Sequence, residues 1–314
     1  MRTHLTVKEL FNQLFSEAKP SVKLLLLIIL AGTSYLIITF IGLLLAVPLF
    51  STTWEQLQTS ISEGFQDSGT GLIYYLQGIQ TLGLFVVPAL LANFLLFKQG
   101  SGFLSGNHSK IHIAWVLSLI MLILSAPFIQ WVIDWNAQIR FPEAMKTIEN
   151  ALQTMEEERT KITERLLTGE SIRIFFFNIL IISVLPALGE EFIFRGVLQR
   201  ILGEWFKNAH LSIMITALLF SMFHLQFYGI LPRLVLGIYF GYLYFWSGTI
   251  WLPVLAHFFN NAMAVSISFL TSASTMQLPG FLTGDSTTSL PLLLISSFIT
   301  CVLIIIIRRE LLVR

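Results

Sequence analysis

The chain contains very little cysteine and very little charge. Its only cysteine among 314 residues is Cys301, which excludes an intrachain disulfide, a multi-cysteine zinc site and a CxxC redox motif. Because Cys301 lies in an apolar run, we expect it to be a small buried residue. Charged residues form 12% of the sequence, whereas soluble domains contain about a quarter. The net charge of +1 leaves no large basic surface, so no nucleic-acid partner is expected.

Long apolar runs dominate the rest of the sequence, in which 55% of the residues are hydrophobic. A membrane span needs about 20 apolar residues, and it must be helical because lipid offers no partner for backbone N–H and C=O groups. We therefore predict an all-α polytopic membrane protein, a bundle of about eight transmembrane helices. The predicted spans are 22–49, 71–97, 111–133, 173–201, 209–228, 231–246, 249–271 and 288–307. The sixth of them is short, which predicts a tilted or partly interfacial helix.

The distribution of lysine and arginine predicts the orientation of these spans. The segments before the first span and after the last one carry several of these residues, whereas the 51–70 and 272–287 connections carry none. Positive charge accumulates on cytoplasmic loops, so we predict a multi-pass protein of the cell membrane with both termini in the cytoplasm. The first apolar run is too long for a signal peptide. An interfacial helix or a solvated leader is expected before it, since five apolar residues share one helical face: Val7, Leu10, Phe11, Leu14 and Phe15.

The connection 134–172 is the one sizeable polar segment. Pro142 suits a first helical turn, and apolar residues then recur at steps of three and four, namely Ile148, Leu152, Met155, Ile162 and Leu166. This pattern predicts an amphipathic or coiled-coil helix outside the membrane. A helix that covers the outer face of the bundle is the simpler interpretation, and a substrate gate or partner site is the alternative.

Five segments are predicted in chain order. They are a cytoplasmic leader at 1–21, three N-terminal transmembrane helices at 22–133, the extramembrane amphipathic insertion at 134–172, a core at 173–271, and a loop with the last transmembrane helix at 272–314. The core is the segment in which ionisable residues interrupt the apolar sequence.

Residues 188–200 read LGEEFIFRGVLQR and place three ionisable side chains inside a predicted span. A charged group at the bilayer centre costs at least about 2.5 kcal/mol on insertion scales. Glu191 and Arg195 are four residues apart and share a helix face, so an ion pair is expected, primarily with a structural role. Glu190 points about 100° away from Glu191. It has no local cation on its own face, so it either faces a polar cavity or is protonated.

Two later spans each contribute a histidine. Phe220 and His224 lie four residues apart in LLFSMFHLQF, and His257 and Asn261 do so in WLPVLAHFFNNAM. A single histidine in a span is usually a hydrogen-bonded core residue. Three polar clusters on neighbouring spans favour a different interpretation, in which glutamate, two histidines and asparagine converge and activate a water molecule.

The sequence lacks the residues that several kinds of intramembrane catalytic site require. No histidine is followed by glutamate, which excludes an HExxH zinc site, and no aspartate lies deep in a span, which excludes an aspartyl dyad. No serine lies in a recognisable GxSG loop, and Cys301 has no histidine nearby in the sequence. What remains is water activation by glutamate and histidine.

Three motifs in this region resemble those of one family. GEEFIFRGVLQRIL resembles the EExxxR motif of the CAAX protease and bacteriocin-processing (CPBP, or Abi) family, FSMFH resembles its FxxxH motif, and TIWLPVLAHFFNN resembles its HxxxN motif. The glycine-rich stretch LVLGIYFGYLYFWSGTIW is also similar to that family. The resemblance covers about 173–265, and the family includes the type II CAAX prenyl endopeptidases. It implies an intramembrane metalloendopeptidase with its catalytic core in this region.

The resemblance implies a role for each ionisable residue of the first two motifs. Glu190 would be the general base that activates water. Glu191 would position Arg195 or assist at the site, and His224 would hold the water or a metal. A glutamate in a low-dielectric setting is a suitable base for this purpose.

The third motif completes the implied site. His257 and Asn261 would bind the metal or stabilise the tetrahedral oxyanion. A divalent metal such as zinc would be held by Glu190, His224 and His257 at about 2.0–2.2 Å, although the same residues also allow a metal-free reaction. The implied partners are membrane lipid and a peptide or membrane-protein substrate, either a prenylated tail or a leader peptide.

Two other functions stay open beside the leading one. A transporter or channel would use the glutamate and histidines to relay protons or cations, although the sequence shows no internal repeat of the kind that many transporters contain. A catalytically silent scaffold or bacteriocin-immunity protein would retain the motifs without activity. The leading prediction is an endopeptidase that cuts near a membrane-embedded or membrane-proximal peptide bond.

Overall fold

The computed structural model describes residues 15–65, 69–98, 102–105, 113–167, 171–273, 280 and 288–312. These residues are almost entirely helical, and none of them forms a strand. The helices in chain order are α1 (Pro20–Leu49), α2 (Trp54–Ser62), α3 (Thr70–Leu95), α4 (Ile113–Leu124), α5 (Ala126–Ala137), α6 (Lys146–Leu167), α7 (Ile172–Phe206), α8 (Ala209–Phe223), α9 (Ile230–Ser247), α10 (Trp251–Ala273) and α11 (Leu290–Leu312). The predicted all-α class is therefore confirmed.

Most of these helices can cross a membrane. Among the described residues, six helical runs are long and apolar enough, and the pair α4 and α5, bent by 48°, makes a seventh if it counts as one span. With the shorter apolar helix α8, this agrees with the prediction of about eight helices in a multi-pass membrane protein. The cytoplasmic location of the termini stays a prediction.

The sequence predicted that the sixth span is short, but in the structure the fifth span is the short one. The sixth, predicted at 231–246, belongs to a helical run of 21 residues, Phe227–Ser247. The fifth, predicted at 209–228, is α8 with 15 residues; its length of about 22 Å is less than the hydrocarbon core of about 30 Å. The helix ends before Leu225, which has a left-handed backbone with φ of 52°, a conformation that residues other than glycine rarely adopt.

The chain forms two compact units. Of the described residues, the first unit contains those within 1–108, 185–216 and 248–254, and the second contains those within 109–184, 217–247 and 255–314. The chain passes from the second unit to the first in the middle of α7. The five segments predicted in chain order stay a prediction.

In the first unit, α1 and α3 pack closely along small residues. The Tyr75 hydroxyl donates to the Gly42 carbonyl at 2.9 Å, and a Cβ at Gly83 would lie 3.2 Å from the α1 backbone. Small residues allow this close approach of two helices. The buried Lys23 pairs with Glu204 at 2.7 Å and so ties α1 to the last turn of α7.

In the second unit, the helix axis changes direction between α4 and α5. Pro127 has no N–H to donate to the carbonyl four residues earlier, and its ring crowds that carbonyl, which is a common cause of a helix bend. The Thr288 hydroxyl donates to the Pro127 carbonyl at 3.3 Å, and the Ser296 hydroxyl donates to the Leu124 carbonyl at 2.7 Å. Hydroxyls at and near the start of α11 thus bind carbonyls on both sides of the bend.

The expectation that Cys301 is buried is wrong, and the expectation of a helix before the first span is not tested. Cys301 is exposed on α11 rather than buried, because only 11% of that apolar span is buried within the protein. The predicted N-terminal helix falls almost wholly outside the described residues, which begin at Phe15.

The segment predicted at 134–172 contains α6, and the apolar stripe of this helix is only partly buried. Ile148 and Met155 are 51% and 39% exposed, whereas Leu166 is 3% exposed. A polar face of the same helix, on which Glu149 is 1% exposed, binds the backbone N–H and the hydroxyl of Tyr228. Apolar periodicity therefore predicted the helix but not these polar contacts.

Candidate active site

The acidic half of the predicted site lies on α7 in the first unit. Glu191 and Arg195 are both fully buried, and Arg195 Nη1 donates to Glu191 Oε1 at 2.8 Å. The ion pair predicted from their spacing is therefore confirmed. Burying two charges is expensive, and only good geometry with further hydrogen bonds offsets the cost. The pair is consequently a fixed element of the fold.

The helix changes its winding at this pair. Glu191 ends an α-helical stretch, Leu185–Glu191, and Arg195 lies in a π-helical stretch, Phe192–Leu198. A π-helical turn is wider because its hydrogen bonds join residues five apart, and such turns are frequent at functional sites. Side chains after Glu191 therefore point in directions that a regular α-helix would not give them.

Two glycines allow this part of α7 to pack tightly within the first unit. A Cβ at Gly189 would lie 2.9 Å from the Cβ of Phe85, and one at Gly196 would lie 2.6 Å from the Phe103 ring. Distances this short leave no room for a side chain. The glycines flank the buried ion pair on both sides and so fix the position of the acidic motif.

Glu190, the predicted general base, differs from its neighbour in exposure. Glu190 is partly exposed, whereas Glu191 is 0% exposed. The expectation that Glu190 faces a polar cavity or is protonated stays a prediction. A general base must lie within hydrogen-bond reach of the proton that it removes, which requires some access for water.

His224 follows the last residue of α8 in the second unit. Its Nδ1 lies 2.9 Å from the carbonyl oxygen of Phe220. A carbonyl only accepts, so Nδ1 carries the hydrogen, and in the neutral ring Nε2 has the lone pair. That lone pair suits acceptance of a hydrogen bond from water or binding of a metal.

His257 lies on α10 in the second unit and is 5% exposed. Its imidazole stacks on the Phe240 ring, with centroids 5.0 Å apart and planes at 18°. It also meets the Phe220 ring at 6.0 Å and 88°, and His224 meets the same ring at 5.0 Å. Phe220 therefore orients both imidazoles, a role that its spacing from His224 alone did not reveal. A Cβ at Gly237 would lie 3.2 Å from the Phe220 ring, so this glycine helps to fix the ring.

Asn261 lies one turn after His257 and contacts a carbonyl on α7. Its Nδ2 donates to the Ile182 carbonyl at 3.4 Å, and its Oδ1 accepts from Asn260 Nδ2 at 3.3 Å. Pro186 explains why that carbonyl lacks its usual helical donor, since proline has no N–H for the carbonyl four residues earlier.

Asn136, which sequence reasoning did not single out, holds the turn that follows His224. Asn136 is 1% exposed, its Nδ2 donates to the Phe227 carbonyl at 3.2 Å, and its Oδ1 accepts from the Leu231 N–H at 2.8 Å. One side chain thus satisfies backbone groups on both sides of the turn. Asparagine commonly binds backbone groups, but that tendency alone does not identify the partner.

Tyr228 ties the same turn to α6. Its N–H donates to Glu156 Oε2 at 3.0 Å, and its hydroxyl donates to Glu149 Oε1 at 3.4 Å and accepts from Gln153 Nε2 at 3.0 Å. The three α6 residues are spaced by four and three and share one helix face. The hydrogen bond from Lys146, 2.8 Å from Glu149 Oε2, holds the pKa of Glu149 below its ordinary value. We call this set of contacts the α6 latch.

The predicted site residues belong to two groups. The acidic motif and its arginine lie in the first unit, and both histidines and the asparagine lie in the second. Each group has an ordered local geometry. Their convergence around one water molecule stays a prediction.

The metal site also stays a prediction. His224 Nε2 has the chemistry of a zinc ligand. In the part of the chain that the structure describes, no group of three or more histidine, cysteine, aspartate or glutamate side chains is arranged to hold a metal ion. A glutamate that binds the metal cannot at the same time be the free base.

Comparison with known proteins supports the motif assignment. Residues 172–263 match the family model of the type II CAAX prenyl endopeptidase Rce1-like proteins. The protein YpbD of Bacillus subtilis (strain 168) is 32% identical over 90 residues, which cover 27% of this chain and 43% of YpbD. The similarity thus spans less than half of that relative, and no solved structure matches the chain. The resemblance predicted from the three motifs is confirmed for the matched segment.

Proposed function

We propose, from the premise that residues 172–263 form an Rce1-like segment, that the protein is an intramembrane endopeptidase. It hydrolyses a peptide bond of a membrane-embedded or membrane-proximal polypeptide. One observation carries the proposal: residues 172–263, which match the family model, include the three motifs identified in the sequence, with Glu190, His224 and His257 in them. The six apolar helical runs are consistent with a site inside the membrane.

In this proposal, Glu190 acts as a general base and then as a general acid. Its carboxylate takes a proton from water while the water oxygen attacks the scissile carbonyl carbon, and the carbonyl oxygen becomes an oxyanion. The protonated Glu190 then gives the same proton to the amide nitrogen as the C–N bond breaks and the carbonyl re-forms. The products are a carboxylic acid and an amine, and Glu190 is again ionised.

The histidine and asparagine motifs act on the water and on the oxyanion. The Nε2 lone pair of His224 accepts a hydrogen bond from the attacking water and orients it. Asn261 has two N–H donors on its amide, and one of them binds the Ile182 carbonyl, so the second donates to the oxyanion together with His257. A preorganised donor of this kind contributes about 3 kcal/mol of transition-state stabilisation.

Glu191 and Arg195 act through position rather than through proton transfer. Their buried 2.8 Å contact holds α7 at the point where its winding changes, directly beside Glu190. The tight packing of Gly189 supports the same part of the helix. These contacts favour Glu190, and not Glu191, as the base.

The decisive experiment compares wild-type and Glu190→Gln protein, purified and reconstituted in lipid vesicles. The substrates are a membrane-protein fraction, in which new N-termini are identified by mass spectrometry, and two synthetic peptides, one with a prenylated C-terminal tail and one with a leader sequence. We expect Glu190→Gln to lower the cleavage rate at least about 100-fold, the range of general-base catalysis. Glu63→Gln, at an exposed residue after α2, is the matched control and should cleave normally.

Three results would contradict the proposal. Cleavage that persists in folded Glu190→Gln protein would exclude this residue as the base. Proton or cation flux that depends on Glu190, without proteolysis, would indicate a transporter. A wild-type protein that neither cleaves nor conducts, with an unchanged phenotype in Glu190→Gln cells, would indicate a scaffold or immunity protein.

A further inference from the structure

A cavity of about 920 Å³ lies within the second unit. Its walls are formed by the α4–α5 bend, α6, α9, α10 and the turn that follows α8. Its polar lining includes Gln130, Glu156, Gln226, Arg233, Asn260 and Ser268. A second, more open depression continues along α6 and shares Glu156, Thr160 and Tyr228 with the cavity. We call this cavity the α6 groove.

One face of α10 leads from the α6 groove to a residue of the candidate site. Asn260, Ala264, Ile267 and Thr271 line the groove at spacings of four, three and four residues, which is one face of a helix. Extending that face backwards by three residues reaches His257, about 4.5 Å further along the helix axis. A ligand that lies along this face therefore approaches the buried imidazole.

The lining of the groove suits a polypeptide backbone. Gln130, Gln226 and Asn260 present carboxamides, which both donate and accept hydrogen bonds, as each peptide unit of an extended chain does. A substrate helix in the membrane must unwind before water can attack one of its carbonyl carbons. Each carboxamide makes one hydrogen bond within the protein: Gln130 donates to Asp134, Gln226 accepts from Arg233, and Asn260 donates to Asn261. Unwound backbone groups are costly in an apolar environment, and the other donors and acceptors of these carboxamides offer them replacement partners.

The charges of the groove also favour a neutral dipolar ligand over an ion. Arg233 donates to the Gln226 side chain, and its guanidinium lies against Gly229, where a Cβ would collide with it. Glu156 lines the same cavity. One cation and one anion in the lining suit the C=O and N–H dipoles of a peptide better than a ligand with a large net charge.

We propose that the α6 groove binds an unwound, extended segment of a polypeptide and directs one of its peptide bonds towards His257. Gln130, Glu156 and Ser268 lie outside residues 172–263, so these parts of the groove belong to this chain beyond the segment matched to the family. The fate of the bound peptide rests on the proposed function. Binding in the groove is measured without cleavage, so the two ideas fail separately.

Disulfide trapping tests the binding. Cys301 is the only cysteine, so a Cys301→Ser, Glu190→Gln background contains no thiol. A single cysteine is then introduced in the groove by Ile267→Cys. The control is Leu294→Cys on α11, because Leu294 is 60% exposed. The probe is a synthetic peptide of about ten residues, the length with which a strand crosses the hydrocarbon core. Both of its ends are blocked, and one central cysteine is activated as a pyridyl disulfide. The protein thiolate attacks the peptide sulfur, and thiopyridone leaves.

We expect the adduct to form at least about tenfold faster with Ile267→Cys than with Leu294→Cys, because a bound peptide raises the local concentration of its sulfur. An excess of the same peptide with serine in place of cysteine should suppress the groove adduct only. A lactam-bridged helical version should compete more weakly. Any of three results would overturn the proposal: equal rates at both cysteines, equal competition by the helical peptide, or faster trapping of a peptide with a free C-terminal carboxylate.

A steric variant connects the groove with catalysis. Ala264→Trp fills the groove from its α10 wall, and Leu294→Trp is the control on the exposed face of α11. Ala264→Trp should raise KM at least about tenfold and change kcat less than about twofold, the signature of lost substrate binding, and it should abolish trapping. Normal KM and normal trapping in Ala264→Trp would exclude the groove as the binding site. Selective trapping at Ile267→Cys without any cleavage by the wild-type protein would refute the proposed function and leave the groove proposal standing.

Discussion

The buried Glu191–Arg195 pair allows a double-mutant cycle that separates structural support from catalysis. Both side chains are 0% exposed, and their nearest nitrogen and oxygen are 2.8 Å apart. Removing one partner of a buried pair typically costs about 3–5 kcal/mol, whereas replacing both by apolar side chains is often neutral or stabilising. We therefore predict that Arg195→Met lowers the free energy of unfolding by about 3–5 kcal/mol. The double variant Glu191→Leu, Arg195→Met should lie within about 1 kcal/mol of the wild type.

The measurement is an unfolding titration with SDS in lipid bicelles, followed by circular dichroism and tryptophan fluorescence, on the wild type, the two single variants and the double variant. A coupling energy below about 0.5 kcal/mol would refute the reasoning. Peptide cleavage by the double variant then assigns the role of the pair. Retained activity would make the pair a support for Glu190, and a stable but inactive double variant would show that it acts at the site.

Three further predictions concern other contacts. Gly189→Ala should destabilise the protein by about 1–3 kcal/mol in the same SDS titration, because the new Cβ overpacks against α3. Gly71→Ala is the control and should be neutral or stabilising, because its Cβ would make only an ordinary 3.5 Å contact. Asn136→Ala leaves two backbone groups without their side-chain partner, so it should lower the free energy of unfolding by about 1–3 kcal/mol and reduce cleavage. Asn150→Ala, on the exposed side of α6, should change neither the stability nor the cleavage rate. Equal effects of the two substitutions would contradict the role of Asn136 in holding the turn. The α6 latch should hold at neutral pH and loosen only below the ordinary carboxyl pKa of about 4.3. The reason is that the pKa of Glu149 is lowered in the folded state, so the contribution of this carboxylate to stability is lost only as the pH falls through the lower value. The mobility of a spin label on α6 measures this, and loosening already near pH 6 would contradict it.

Apolar runs predicted the class and most helix positions because lipid permits few alternatives to a helix. The same signal failed at α8, which ends at Phe223 although the apolar sequence continues to Tyr228. Hydropathy measures the side chains, whereas the end of α8 depends on one left-handed residue, Leu225. Turn propensity gave no warning, since leucine is not a typical residue for that conformation.

Contacts within one helical turn were predictable, and contacts between distant segments were not. The spacing of Glu191 and Arg195 was sufficient for the ion pair. By contrast, the polar face of α6 is explained by Tyr228, which lies 72 residues after Glu156. A single sequence contains no signal for such a pairing, so the polar contacts of α6 were not predicted.

The motif residues lie where regular helical hydrogen bonding is interrupted. Arg195 lies in one π-helical stretch, and Asn261 binds the carbonyl of Ile182 in another, four residues before Pro186. His224 follows the abrupt end of α8. Each interruption reorients or frees backbone groups, and polar side chains in apolar surroundings need such groups as partners. A periodicity of about 3.6 residues assumes that no interruption exists, so it predicted the contact of Glu191 with Arg195 within one turn but not the contact of Asn261 with the Ile182 carbonyl.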